Sequence, residues 1–208
     1  MPIIKPLRFL AKHDIECRAL DVLESMRRAH DRLPNFPLDT SVVAEFLGLD
    51  VVWDSIPDDG AGQIAARILP LERLIEINED LPQIEGGLGE STLAHEIGHW
   101  VLHIDQEAIA RVERLQTRQV RVNVVPLLCR EEAEELGREW QAQYFATCLL
   151  MPRFVMEPAV AGKDLQQWRS LYAITEELGV TISNLIHRLK DLGWISEAPA
   201  RVGGRSQE

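Results

Sequence analysis

The chain has 208 residues, of which 46% are hydrophobic, 26% charged and 6% aromatic. That composition excludes a disordered, collagen-like or coiled-coil protein and suits one domain with a small appendage and a core that needs no disulfides. A formal net charge of -11, from 22 basic and 33 acidic side chains, repels phosphate and argues against duplex nucleic acid as the main partner.

No run of about 18 apolar residues occurs, and Met1 to Ala11 lacks the continuous apolar stretch of a secretory signal. Cys17, Cys129 and Cys148 are odd in number and widely spaced, so reduced thiols and a cytoplasmic location are expected. Ile15, Ala19, Val22, Leu23 and Met26 recur at helical spacing and predict a helix over Asp14 to Arg32, stopped by Leu33 to Pro37. A second helix over Ser41 to Leu47, capped by Asp39 or Thr40, closes at Gly48. Leu49 to Trp53, Gln63 to Leu69 and Leu74 to Asn78 read as short strands of a small antiparallel sheet. Ser91 or Thr92 is expected to cap a helix through His103. Arg111, Arg114, Arg118 and Arg121 then mark a polar stretch read as a solvated loop, followed by a strand-like alternation of Val120, Val122 and Val124. A helix over Arg130 to Leu150 stops at Pro152, Leu165 to Trp194 reads as two helices around Gly179, and the tail is frayed.

Chemistry concentrates in His95-Glu96-Ile97-Gly98-His99. Two histidines four apart on a helix share one face, so both imidazoles can converge on one Zn²⁺ while the intervening Glu reaches the water beside it. A helix whose histidines are satisfied by hydrogen bonds alone is the competing reading. A catalytic zinc needs a third protein ligand. His103 lies about 12 Å along the axis from His95 on a straight helix, too far to share one metal, and is assigned a supporting or packing role. Glu131, Glu132, Glu134, Glu135 and Glu139 follow, and only Glu139 is flanked by apolar positions. The other four read as a solvated acidic first turn.

The His-Glu-Ile-Gly-His run with Leu102 and His103 behind it, then Glu139-Trp140-Gln141-Ala142-Gln143-Tyr144-Phe145-Ala146 and Leu149-Leu150-Met151-Pro152, resembles the ImmA/IrrE family of zinc metallopeptidases over roughly residues 38 to 195. The resemblance implies an α+β, zincin-like fold in which a small antiparallel sheet packs on an active-site helix and a glutamate-bearing helix, with a C-terminal helical unit. It implies Zn²⁺ held by His95, His99 and Glu139, with Glu96 as the catalytic base. Gln143 stands where the family usually has Asn. It lies one turn beyond Glu139, and its carbonyl is expected to hold a zinc-bound histidine. The chain then divides into an N-terminal helical segment (1–37), a metallopeptidase core (38–160), a helix-turn-helix-like unit (161–197) and a flexible tail (198–208).

The function implied is a narrow-specificity zinc endopeptidase that cleaves a helix-turn-helix repressor, with a non-catalytic zinc-bearing regulator or antitoxin-like partner as the alternative. Peptide deformylase, another H-E-x-x-H hydrolase, requires an upstream Cys ligand that is missing between Cys17 and Cys129. An extended substrate is expected to pair with a sheet edge at Gln63 to Leu69, or failing that at Leu74 to Asn78. The basic residues of the C-terminal unit (Arg169, Arg188 and Lys190) are cancelled by Glu176, Glu177 and Asp191, which makes it a packing or docking unit rather than a DNA reader. The charge is uneven: residues 70–110 hold 9 acidic against 1 basic side chain, and 131–139 hold 5 against 1. A basic polypeptide, such as a repressor, is therefore the expected partner.

Overall fold

The structure, a computed structural model, describes residues 3–57, 64–80, 88–116, 127–129 and 136–200. The helical spacing of Ile15, Ala19, Val22, Leu23 and Met26 yields α1 (Lys12–His30), and all five side chains are buried. In α2 (Thr40–Phe46) the cap is Asp39, whose Oδ1 accepts from the backbone N–H of Ser41 at 2.9 Å and of Val42 at 3.4 Å. Gly48, at φ +71°, then turns the chain into the sheet.

The strands are β1 (Asp50–Asp54), β2 (Ala66–Leu69), β3 (Leu74–Asn78) and β4 (Leu127–Cys129), ordered β1-β3-β2-β4. β2 pairs antiparallel with β3 and with β4, whereas β1 runs parallel to β3 with Val51 opposite Ile75. The sheet is thus mixed, not antiparallel throughout. Alternation along a strand decides which residues point inward but says nothing about the direction of the neighbour. Ala66, Ile68, Ile75 and Ile77 are fully buried, while Arg67 and Glu76, opposite one another in register, form an ion pair on the other face.

The remaining helices are α3 (Leu88–His103), α4 (Gln106–Gln116), α5 (Leu136–Leu150), α6 (Arg153–Val160), α7 (Trp168–Leu178) and α8 (Ile182–Asp191). Three expectations change. Neither Ser91 nor Thr92 caps α3, which is already helical at Leu88; the Ser91 hydroxyl instead accepts from Asn184 Nδ2 of α8 at 2.8 Å. α4 stands where a loop was expected. Asp105 caps it by accepting from the Ala108 N–H at 2.9 Å, and Ala108, Ile109 and Val112 bury its apolar face while Arg111 turns outward to Asp105 and Glu107. α6 follows directly on Pro152, which ends α5 yet accepts the first backbone bonds of α6 from Val155 and Met156. The alternation at Val120 to Val124, the acidic run Glu131 to Glu135 and the tail from residue 201 lie outside the described residues.

One continuous core takes side chains from α1, the sheet, α3, α5, α7 and α8. Within it Arg188 of α8, 1% exposed, donates to the Met151 carbonyl at 2.9 Å, to Cys148 Sγ at 3.4 Å and to Glu16 of α1 at 2.5 Å. It is therefore unavailable to a nucleic-acid backbone. Among the described residues no helix is long and apolar enough to cross a membrane.

Candidate metal centre

The centre forms where α3 and α5 touch. A Cβ added at Gly98 would lie 2.9 Å from the Ala142 carbonyl oxygen and 3.2 Å from Phe145 Cδ1. Side chains as small as Gly98, Ala142 and Ala146 therefore let the two backbones approach within van der Waals contact. At that separation the Glu139 carboxylate of α5 reaches both histidines of α3.

His95 Nε2 is 2.9 Å from Glu139 Oε2, His99 Nε2 is 3.2 Å from Glu139 Oε1, and the two Nε2 atoms are 3.0 Å apart. These are the donors of the one group among the described residues able to hold a metal ion. Glu139 Oε1 is shut off from solvent and makes no hydrogen bond of good geometry, so an acceptor is buried facing the His99 imidazole nitrogen. Tetrahedral zinc with ligands at about 2.0 to 2.2 Å holds its donors roughly 3.3 Å from one another. The observed triangle matches that to within a few tenths of an ångström, and a His₂Glu donor set is a catalytic zinc set. The residues fit the ion.

Electrostatics point the same way. Burial disfavours ionisation of Glu139, but its pairing with the adjacent His95 and His99 imidazoles more than offsets it and holds the carboxyl down to about 2. Burial also disfavours the His95 imidazolium; the bond to Glu139, the charges of Glu96 and Glu139 and a hydrogen bond to Gln143 outweigh it and raise the pKa. Glu96 is 1% exposed, and its charge favours the His95 imidazolium. His103, 4% exposed, is pushed down to about 4 by burial and by the neighbouring His99, so it is neutral. Its Nδ1 lies 3.0 Å from His99 Nδ1, and its Nε2 lies 3.1 Å from Gln141 Oε1.

The fold therefore brings together every residue that the sequence singled out for the site: His95, Glu96, His99, Glu139, Gln143 and His103. Two residues escaped the sequence reading. Gly98 gave no signal beyond its place between two histidines. Gln141 did give one, since a polar side chain at 141 continues the apolar stripe of Phe145 and Cys148, all three buried.

The profile of the peptidase family described as IrrE N-terminal-like domain matches residues 56–190. This chain belongs to that family. The matched span of the IrrE-like domain holds the whole His95, His99 and Glu139 cluster and begins after α1 and β1. A solved structure of a Mycobacterium tuberculosis transcriptional regulator is similar at 20% identity and a TM-score of 0.49, covering 86% of this chain and 46% of that one. The chain thus spans under half the length of that structure. No curated protein matches it.

The substrate edge needs correction. β2 lies between β3 and β4, and β3 between β1 and β2, so neither expected strand is an edge; among the described residues the open edges belong to β1 and β4. β4 pairs with β2 from about 60 residues further along the chain, a contact that no local pattern announces.

Proposed function

We propose that this chain is a zinc-dependent endopeptidase in which His95, His99 and Glu139 hold Zn²⁺ and Glu96 is the general base. The observation that carries the reading is the convergence of Glu139, from a separate helix, on both histidines of the H-E-x-x-H turn within 3.2 Å. Zinc, when bound, supplies a Lewis acid that polarises a carbonyl and lowers the pKa of a coordinated water to about 7. Glu96 accepts a proton from the attacking water and delivers it to the leaving amine. Gln143 orients His95 from one side while Glu139 keeps its negative charge at any pH above about 2.

The reading of the substrate as a basic, helix-turn-helix repressor is supported by charge. The segments that supply the site, residues 70–110 and 131–139, carry 14 acidic against 2 basic side chains, a field that draws in cationic polypeptide. Among the described residues an extended substrate strand has two open edges available, at β1 and β4. β4 is favoured, because the chain passes from Cys129 to the start of α5 at Leu136 in seven residues.

Metal content and cleavage of a candidate repressor, measured together, test this. Glu96→Gln keeps zinc and loses about 10² to 10⁴ in rate, whereas His99→Ala and Glu139→Ala lose both. Undiminished cleavage by Glu96→Gln sinks the mechanism, unchanged zinc in Glu139→Ala removes Glu139 from the ligand set, and stoichiometric zinc with repressor binding but no fragment marks a non-catalytic regulator.

A further inference from the structure

The candidate metal cluster is connected to the N-terminal segment by a line of hydrogen bonds, buried at its inner end and part-buried where it reaches Arg8. His99 Nδ1 lies 3.0 Å from His103 Nδ1, His103 Nε2 lies 3.1 Å from Gln141 Oε1, and Gln141 Nε2 donates to the Arg8 backbone carbonyl at 2.7 Å. His99, His103 and Gln141 are 1%, 4% and 3% exposed, so water does not compete for these groups. The polarity of the line follows from its outer end. A backbone carbonyl only accepts, so Gln141 must turn its NH₂ to Arg8 and its oxygen to His103. His103 then carries its proton on Nε2, and its Nδ1 is left as an acceptor. The facing Nδ1 of His99 must donate into it. That leaves the His99 lone pair on Nε2, the atom 3.2 Å from Glu139 Oε1 and 3.0 Å from His95 Nε2. Reversed polarity would place a proton on His99 Nε2 and block ligation.

The outer end is itself built in. Lys5 N–H donates to the His103 carbonyl at 2.8 Å, Asp105 N–H to the Ile3 carbonyl at 2.7 Å, and Ile4 bridges Ile104 antiparallel. Arg138 of α5 donates to the Lys5 carbonyl at 3.3 Å. Residues 3–8 are therefore tied both to the end of α3 and to the start of α5, the two helices that carry the cluster. They also lie outside the span matched by the family, 56–190.

We infer that residues 3–8 belong to the centre: the Arg8 carbonyl orients Gln141, and Gln141 and His103 are positioning residues that hold His99 as the Nδ1–H tautomer, with Nε2 free to bind. The polarity follows from the hydrogen bonds for a neutral His103, and its consequence for metal binding rests on the zinc reading above.

Two measurements test it. Long-range nitrogen–proton correlation spectra of histidine-labelled, metal-free protein are expected to show His99 protonated on Nδ1 and His103 on Nε2; the opposite pattern, or His103 protonated on both nitrogens, overturns the inference. Zinc affinity by chelator competition is expected to fall about 10- to 100-fold in Gln141→Leu and in His103→Phe. Gln141→Glu, which still offers His103 an acceptor, retains most of it. Equal losses in the Leu and Glu variants, or none in the Leu variant, reduce Gln141 to packing and overturn the role assigned to it. If Gln141→Leu does not fold, the tautomers of the parent protein decide. A parent that binds no zinc but shows the expected tautomers ends the zinc reading and leaves the hydrogen-bond line standing; zinc binding with reversed tautomers does the opposite.

Discussion

Glu139 and His95 show how one carboxylate, by pairing with a histidine, sets the competition between a proton and a metal for its ring nitrogen. The pair raises the proton affinity of His95 above its usual value, while Glu139 is held down to about 2. In the metal-free protein a zinc ion must therefore displace a proton from His95 but none from Glu139. Below the raised His95 pKa the ring is protonated and zinc competes with the proton, so affinity climbs as pH rises past the ordinary histidine range and then levels. Calorimetry in buffers of different ionisation enthalpy should register proton release on zinc binding that shrinks as pH rises; pH-independent affinity across this window would contradict the pairing. Gln143 also hydrogen-bonds the His95 ring, and Gln143→Ala is expected to lose about tenfold in zinc affinity. A variant that binds zinc as well as the parent refutes that role.

At the scale of helices and strands, the sequence is readable wherever an element announces itself by period and punctuation. α1 is one such case, with five apolar residues on one face, and α2 another, where Asp39 sits before the helix and Gly48 after it. β3 matches its expected bounds at Leu74–Asn78. α4 and α6 were harder for opposite reasons. α4 carries so many charged residues that its short buried stripe of Ala108, Ile109 and Val112 is diluted, and α6 lies behind a proline that stops one helix and begins the next. The crossing of α3 and α5 is an element-scale property with a residue-scale fuse. Gly98→Ala places a methyl 2.9 Å from the Ala142 carbonyl oxygen, backbone that cannot swing aside. The helices must part by a few tenths of an ångström or more, at about 1 to 3 kcal/mol. Both the urea midpoint and zinc affinity should drop together; a variant with lower stability and intact affinity would mean that Glu139 reaches the histidines without this close approach.

Across the whole molecule, Arg188 couples parts of the chain that are far apart in sequence. It is 1% exposed and joins α8 to the end of α5 and, through Glu16, to α1. Removing one member of a buried pair strands the other, and Glu16 keeps partial access to water, so Arg188→Ala is expected to cost about 3 kcal/mol in urea unfolding. A cost below about 0.5 kcal/mol would show the clamp to be incidental. The same residue lowers the count of cations that the helix pair α7 and α8 can offer to phosphate, because a cation that looked surface-bound in the charge count is spent inside. The net charge of -11 remains consistent with a basic protein partner, because its excess is concentrated in the segments around the centre.

The amino-acid order placed the candidate site residues within a helical turn: the spacing of His95, Glu96 and His99 follows from 3.6 residues per turn, and Glu139 stood out because apolar positions flank it on a helix of its own. Periodicity reaches only a few residues, since it reflects backbone geometry and burial of one face. Pairings between distant segments obey packing instead. Thus the parallel partner of β1, the arrival of β4 beside β2, the Gly98 contact that closes the distance from Glu139 to the histidines, and the line from Arg8 through Gln141 and His103 to His99 were decided by tertiary structure, because each depends on which surfaces meet once the core has closed.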